Sequence, residues 1–439
     1  MHFGIFLEER RPGTSEAAAF QETLDLAEAA EASGIDGVWL GEIHFNPTRS
    51  VHSAPMALAS YIAARTERVR IGTAVQVLPL GNPLRIAEDV ATVDHLSRGR
   101  FDFGIGRSGS PRAYDALGIP YAESQARFEE SLRIILEAWK GEPFSYDGNF
   151  YRIRNATVGP RPYQRPHPPL RMAANSRETF PIVGRLGLPL FVGLRDLSIP
   201  ELHAHLAAYR SAWREAGHPG RGDVCLRIPV YVGATEKDAV EEPRENTVYF
   251  FRRHAELTRS GLGRGDTGPA DRRQARVAEL TNLTYEDILE TRVAFGTAAS
   301  LTERLARLRD ELGLSGIVEV DALLTHVVDC ARDLHPVLLQ REVGIPQRLL
   351  AAHPERDVTQ AETARRARRR VVLIRDREEI DRVRVTFERH EHAPVLGILL
   401  GDLEPEDGRI EGLRTLDVAD PQQHVSDAGE SYHGVVSCP

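Results

Sequence analysis

Apolar and polar positions follow two rhythms that take turns along this chain. Short, nearly unbroken apolar runs predict buried strands at 3–7, 36–40, 69–75, 101–106, 170–174, 189–193, 225–232 and 316–321. Between them, apolar residues recur at helical spacing and predict helices at 16–33, 53–66, 84–97, 122–140, 178–187, 199–216, 235–257 and 300–313. Eight strands, each followed or flanked by a helix, predict an α/β chain folded as a (β/α)8 barrel. An open doubly wound sheet shows the same alternation. The strand count, and the lack of a G-x-G-x-x-G turn after the first strand, favour the barrel.

The stretch LPLGNPLRIAEDVATVDHLSRGRFDFGIGR at 78–107 is the most informative. Gly81, Asn82 and Pro83 form a turn, and Pro83 suits a first helical position, where its missing N–H costs nothing. Ile86, Val90, Val93 and Leu96 mark one helical face, Arg98-Gly99-Arg100 ends the helix, and Phe101–Ile105 reads as a strand. Arg107 then stands at a strand's carboxyl end, where α/β proteins place ligands. Its fork of donors suits a phosphate; a barrel carboxylate is the other partner it could take. A second anion candidate follows LRMAA at 170–174, where Asn175-Ser176-Arg177-Glu178-Thr179 opens a helix. Free N–H groups and the positive dipole end face an anion there, although Asn175 or Ser176 could serve only as a cap.

Two segments break the alternation. Residues 141–169 are rich in Gly, Pro and aromatics and read as a hairpin excursion. Residues 258–283, with TRSGLGRGDTGPADRR, read as a long polar loop; at 258–275 a mobile lid is expected. The expected organisation is a barrel over 1–350 carrying these two insertions, then an extension over 351–439 with a few strand-like segments. RRARRR at 365–370 reads as a solvated helix face, with phosphate or nucleic-acid binding as the alternative.

With a net charge of −9, the chain is not expected to bind nucleic acid. No run of eighteen apolar residues occurs, so no membrane span is expected, and MHFGIFLEERRP lacks a secretory pattern. The three cysteines are far apart, which fits a reducing compartment, and the expected location is the cytoplasm. The tail histidines lack ligand spacing, so no metal is expected.

The 78–107 stretch resembles the bacterial luciferase-like flavin monooxygenases, whose corresponding segment runs through an AEDV helix into S-[KR]-GRF-x-FGI-x-R. FGIFLE at 3–8, DGVWLGEIHF at 36–45, RIGTAVQVLP at 70–79 and LRMAANSRETF at 170–180 extend the likeness over about residues 1–345. The resemblance implies reduced FMN as co-substrate and O2 activation through a flavin C4a-(hydro)peroxide that oxygenates a small organic substrate. It implies flavin-phosphate binding by Arg107, Asn175, Ser176 and Thr179, with Ala174 also binding the cofactor, although the family commonly has an acidic residue where Asn175 stands. It implies a non-prolyl cis peptide and flavin contact at Ala74 and Val75. It also implies a separate flavin reductase and a homodimer through the helix at 84–97. The family's E-H-H-F motif reads Glu42-Ile43-His44-Phe45 here. The first histidine is therefore Ile43, and His44 is the remaining catalytic candidate, or else a structural histidine. The family's reactive thiol position is Gly106. Two rivals share the fold: an F420-dependent hydride-transfer enzyme and a non-catalytic flavin-binding partner subunit.

Overall fold

The computed structural model describes residues 1–320 except 9, 12, 109–110 and 261–269, together with short strands of the tail. Eight parallel strands form a closed barrel: β1 His2–Leu7, β2 Gly37–Leu40, β3 Arg70–Thr73, β4 Phe101–Gly106, β5 Leu170–Ala173, β6 Leu190–Gly193, β7 Val224–Ile228 and β8 Gly316–Val320. The order runs β3-β2-β1-β8-β7-β6-β5-β4, and β4 closes on β3 through Ile71↔Phe101 and Gly72↔Asp102. Outside lie the helices α1 Glu16–Ala32, α2 Pro55–Arg65, α3 Pro83–Leu96, α4 Ser124–Ala138, α5 Thr179–Leu186, α6 Ile199–Glu215, α7 Arg244–Ser260, α8 Ala270–Asn282 and α9 Ala298–Leu312.

Strand alternation divides the core in two. One set of side chains, including Ile5, Val38, Ile71, Phe103 and Val192, packs against the helices. A smaller group, Phe6, Trp39, Phe191, Cys225 and Val318, forms a separate cluster with Ala74 against it. Two close approaches shape that cluster. A Cβ on Gly72 would lie 2.4 Å from Trp39 Cε3, and one on Gly104 would lie 1.8 Å from the Thr73 carbonyl oxygen. Glycine is the residue those two positions can hold without moving a neighbour.

The S-R-G-R-F segment works as a structural clamp. Arg98 and Gly99 take the left-handed turn, with φ of 55° and 81°. Arg100 then donates to the carbonyls of Ala63, Thr66 and Val69, each at 2.9 Å, and so closes the carboxyl end of α2. Buried Asp94 accepts from the backbone N–H and side-chain amide of Gln164, both at 2.8 Å, and ties the Pro-rich approach to β5 down.

Several expectations need correction. Leu96 is 56% exposed, so the core face of α3 ends at Val93. The strand expected over 225–232 breaks at Pro229, which has no N–H to donate, and Val230–Val232 pairs instead with Ala294–Gly296. The helix expected over 235–257 is split at Pro243 into Glu236–Glu241 and α7. The segment 258–283 is not one loop: 258–260 finish α7, and α8 occupies 270–282 with Val277 and Leu280 buried. The glycines of that segment lie in 261–269, outside the described residues, as does the centre of the expected lid. The excursion at 141–169 does contain a hairpin, Phe144–Asp147 against Arg152–Ala156.

The chain divides into two compact units, Met1–Leu349 and Leu350–Pro439. In the second, Arg382–Thr386 pairs antiparallel with Ile374–Arg375 and His433–Ser437, and Leu399–Leu403 pairs with Ile410–Thr415. RRARRR lies outside the described residues.

Candidate active site

The carboxyl ends of the strands gather the sequence candidates. β4 and β5 are neighbours with Ile105 opposite Met172, and continuing that register sets Arg107 beside Ala174. Ala174 is buried and donates its N–H to the Phe191 carbonyl at 3.2 Å. The Arg107 guanidinium donates through Nη1 to Ser124 Oγ at 3.1 Å, at the start of α4. Among the described residues no carboxylate pairs with it.

The turn into α5 differs from simple capping. The residue at the N-cap is Glu178, and no side chain caps the first N–H groups. Ser176 Oγ instead meets Thr179 Oγ1 at 2.9 Å, on the exposed side of the turn. Asn175 turns its amide away and donates to Asp196 Oδ2 at 3.3 Å. Two hydroxyls and an uncapped helix start thus sit one strand away from Arg107.

On the opposite side of β4, the chain leaves β3 with Ala74 N–H bonded to the Leu40 carbonyl at 2.8 Å, and the Ala74–Val75 peptide is cis. A Cβ on Gly106 would lie 2.6 Å from Val75 Cγ2, so Val75 occupies the space a side chain at 106 would take.

Glu42 and His44 extend from β2. His44 Nε2 lies 2.7 Å from Glu42 Oε1, and Glu42 Oε2 accepts the Val77 N–H at 2.8 Å. Burial pushes the Glu42 carboxyl above its ordinary pKa, and the bonds from His44 and Val77 offset only part of that shift. Ile43 donates its backbone N–H to the His52 carbonyl at 2.9 Å. The carboxylate that fixes His44 was printed in the E-I-H-F motif, yet nothing in its spacing marked it as the histidine's partner.

A further polar cluster escaped the sequence reading. Buried Glu8, just past β1, accepts from Arg227 Nη1 at 3.1 Å and also pairs with Arg49 and, at 3.6 Å, with Arg195 Nη1. The Arg227 guanidinium lies 3.5 Å above the Phe6 ring. Beside it, His254 Nε2 of α7 lies 2.5 Å from Asp196 Oδ1. Burial alone would raise the Asp196 carboxyl, but His254, Arg195 and Arg276 outweigh it and hold the group well below the usual carboxylate range. Burial first, then the charges of Arg195 and Arg227, pushes the Arg49 guanidinium below its ordinary value. Residues 8, 49, 195, 227 and 254 share no local pattern, so only the folded chain shows the group. The aromatic run Tyr249-Phe250-Phe251 does not line this mouth as one surface: Phe250 and Phe251 are buried in a core with Tyr231 and Phe295, and Tyr249 is 59% exposed.

Cys225 is buried and its thiol is pushed up to about 12 by that burial, which removes it as a nucleophile. Among the described residues no His, Cys, Asp and Glu group is arranged to hold a metal ion. Among the same residues no helix is long and apolar enough to cross a membrane.

The chain is similar to several known proteins. The chain is 26% identical over 254 residues to the flavin-dependent trigonelline monooxygenase, oxygenase component, of Acinetobacter baylyi, covering 57% of this chain and 70% of that one. It is 37% identical over 170 residues to an F420-dependent glucose-6-phosphate dehydrogenase of Kineococcus radiotolerans, covering 37% and 49%. The crystal structure of the monooxygenase RslO1 from Streptomyces bottropensis superposes with a TM-score of 0.63 at 26% identity, over 78% of this chain and 98% of that one. The chain spans about half the length of several curated relatives it matches, 52%, 55% and 49%. A family model described as luciferase-like monooxygenase matches residues 1–316, and the chain therefore belongs to the luciferase-like monooxygenase family.

Proposed function

We propose that this protein is an FMN-dependent monooxygenase that uses reduced FMN and O2 to oxygenate a small organic substrate. One observation carries the reading. Arg107, with no carboxylate partner among the described residues, stands at the β4 end next to the β5–α5 turn and its paired Ser176 and Thr179 hydroxyls. A strongly donating fork and two hydroxyls form a donor set for a phosphate, while at the helix start the Thr179 N–H is bonded to the Ser176 carbonyl and Pro181 has none. In this reading Ala174 and Asn175 shape the turn, and the ring of the flavin rests against Ala74 and Val75. When bound, reduced flavin supplies the redox chemistry and the activation of O2. The protein's own residues bind the phosphate, shield the ring from water and place the substrate.

His44 is the proton-handling residue of this proposal. With Glu42 ionised, its Oε1 accepts from Nε2–H and Nδ1 is left as the basic nitrogen. Ile43 can neither give nor take a proton, so oxygen transfer here does not follow the two-histidine pattern of E-H-H-F. The reduced flavin comes from a separate reductase, as the name oxygenase component implies for the Acinetobacter relative. The working form is a cytoplasmic homodimer packed through α3, where Leu96 is exposed.

The F420-dependent relative supports a second reading, hydride transfer without O2. A direct assay separates the two. Purified full-length chain is mixed with reduced FMN in air, and separately with reduced F420 without air. The proposal expects tight FMN binding and O2-dependent flavin oxidation under the protein's control. Oxidation of F420 in the absence of O2 would overturn it, and inertness of the chain without a second subunit would assign it the partner-subunit role.

A further inference from the structure

The Glu8 cluster is outside the phosphate site and has a different make-up. Arg107 reaches toward Ser124 on the α4 side of β4. Arg195 leaves β6 in the other direction, toward Glu8 at the end of β1, and so does Arg227 from β7. These groups therefore face the barrel mouth next to Phe6, the ring that Arg227 covers.

Arg195 is the informative member. Its nearest carboxylate among the described residues, Glu8, is 3.6 Å away, too long for a hydrogen bond. Its Nε is buried and meets no acceptor among the described residues. The side chain as a whole keeps 25% of its surface exposed. A buried guanidinium donor without an acceptor is costly, and the cost is removed when an oxyanion arrives. Glu8 cannot serve all its neighbours, because Arg227 and Arg49 already hold it.

We propose that Arg195, backed by Arg49 and Arg227, anchors a carboxylate of the organic substrate at the barrel mouth. One open guanidinium fork matches one planar monoanion through two parallel hydrogen bonds. A phosphate dianion has more charge and more acceptors than this single fork satisfies. His254, held at 2.5 Å by Asp196 beside Arg195, borders the same place. The inference deepens the monooxygenase reading and rests on it for the word substrate; the anion site itself stands on the geometry.

The test uses the full chain and five probes, benzoate, hexanoate, their neutral amides and phenyl phosphate, titrated calorimetrically against wild type and Arg195→Gln. At least one carboxylate is expected to bind at least tenfold more tightly than its amide, and Arg195→Gln is expected to erase that difference. Equal binding of acid and amide, absence of carboxylate binding, or full retention in Arg195→Gln would overturn the proposal. A preference for phenyl phosphate over benzoate that is present in wild type and lost in Arg195→Gln would overturn the choice of carboxylate. Oxidised and reduced FMN are titrated on the same samples. The proposal expects Arg195→Gln to leave both affinities unchanged. A selective loss of reduced FMN would assign the cluster to the charge of the reduced ring and sink the substrate role. Failure of wild type to bind FMN would count against the FMN reading, while the acid–amide comparison would still decide the anion site. If Arg195→Gln does not fold, the wild-type acid–amide comparison decides alone.

Discussion

The two sides of the barrel mouth are built on different principles. On the β3–β4 side, function-facing geometry comes from what is missing: Gly72, Gly104 and Gly106 clear space for Trp39, the Thr73 carbonyl and Val75. On the β1–β6–β7 side it comes from charge: Glu8, Arg49, Arg195 and Arg227 meet from four distant stretches of chain. The first kind of site is local and fits within one supersecondary unit. The second exists only once the barrel closes. The contrast teaches that close packing can be set within one short stretch of sequence, while a buried charge cluster is assembled from scattered positions.

That comparison can be broken or sharpened by experiment. The largest effect is expected from Gly104→Ala. Its new Cβ would lie 1.8 Å from backbone that cannot swing away, so the chain should lose ~3 kcal/mol or more in denaturant titration, or fail to fold. A wild-type midpoint would show that the β3–β4 side is not held by close packing. Next comes His44→Ala. If Glu42 positions His44 for proton transfer, kcat should fall ~10²-fold with little change in Tm. A lower Tm with an unchanged kcat in the folded fraction would make His44 a brace for the end of β2. The smallest effect concerns the charged belt beneath the mouth, where Arg276 donates to Glu201 at 2.6 Å and Glu201 also serves the α6 capping box. Burial opposes it, but Arg276 and the Ser198 contacts pull the Glu201 carboxyl down to about 2. Its folded pKa lies below its unfolded value. Its contribution is therefore complete above the ordinary value of 4.5 and is lost as pH falls from there toward about 2. Because the pair is partly exposed, Arg276→Met should cost ~1 kcal/mol or less near neutrality and should flatten the acid limb of the stability curve. An unchanged acid limb would remove Glu201 from the account.

How much of this was legible follows from the same contrast. The eight barrel strands were readable because buried parallel strands print as unbroken apolar runs, and Gly81-Asn82-Pro83 and Arg98-Gly99-Arg100 punctuate α3 with residues whose backbone preferences are strong. Arg107, Ser176 and Thr179 were readable as a group only through strand-end position and family resemblance. The insertion after β7 was harder. Its glycines sit among arginine-rich helical sequence, so α8 looked like loop although Val277 and Leu280 keep helical spacing. Pro229 and Pro243 broke elements that apolar rhythm alone would have continued. The Glu8 cluster left no trace: a carboxylate and an arginine 219 positions apart carry no period.

The central claim is that Arg107 and the β5–α5 turn hold the flavin phosphate. The most direct measurement is the binding of FMN and of riboflavin, which lacks the phosphate, to wild type and to Arg107→Ala. Wild type should prefer FMN. Arg107→Ala should weaken FMN by ~1.5–3 kcal/mol, the scale of a charge-assisted hydrogen bond, and leave riboflavin nearly untouched. Equal affinity of wild type for the two flavins, or wild-type FMN affinity in Arg107→Ala, would contradict the account.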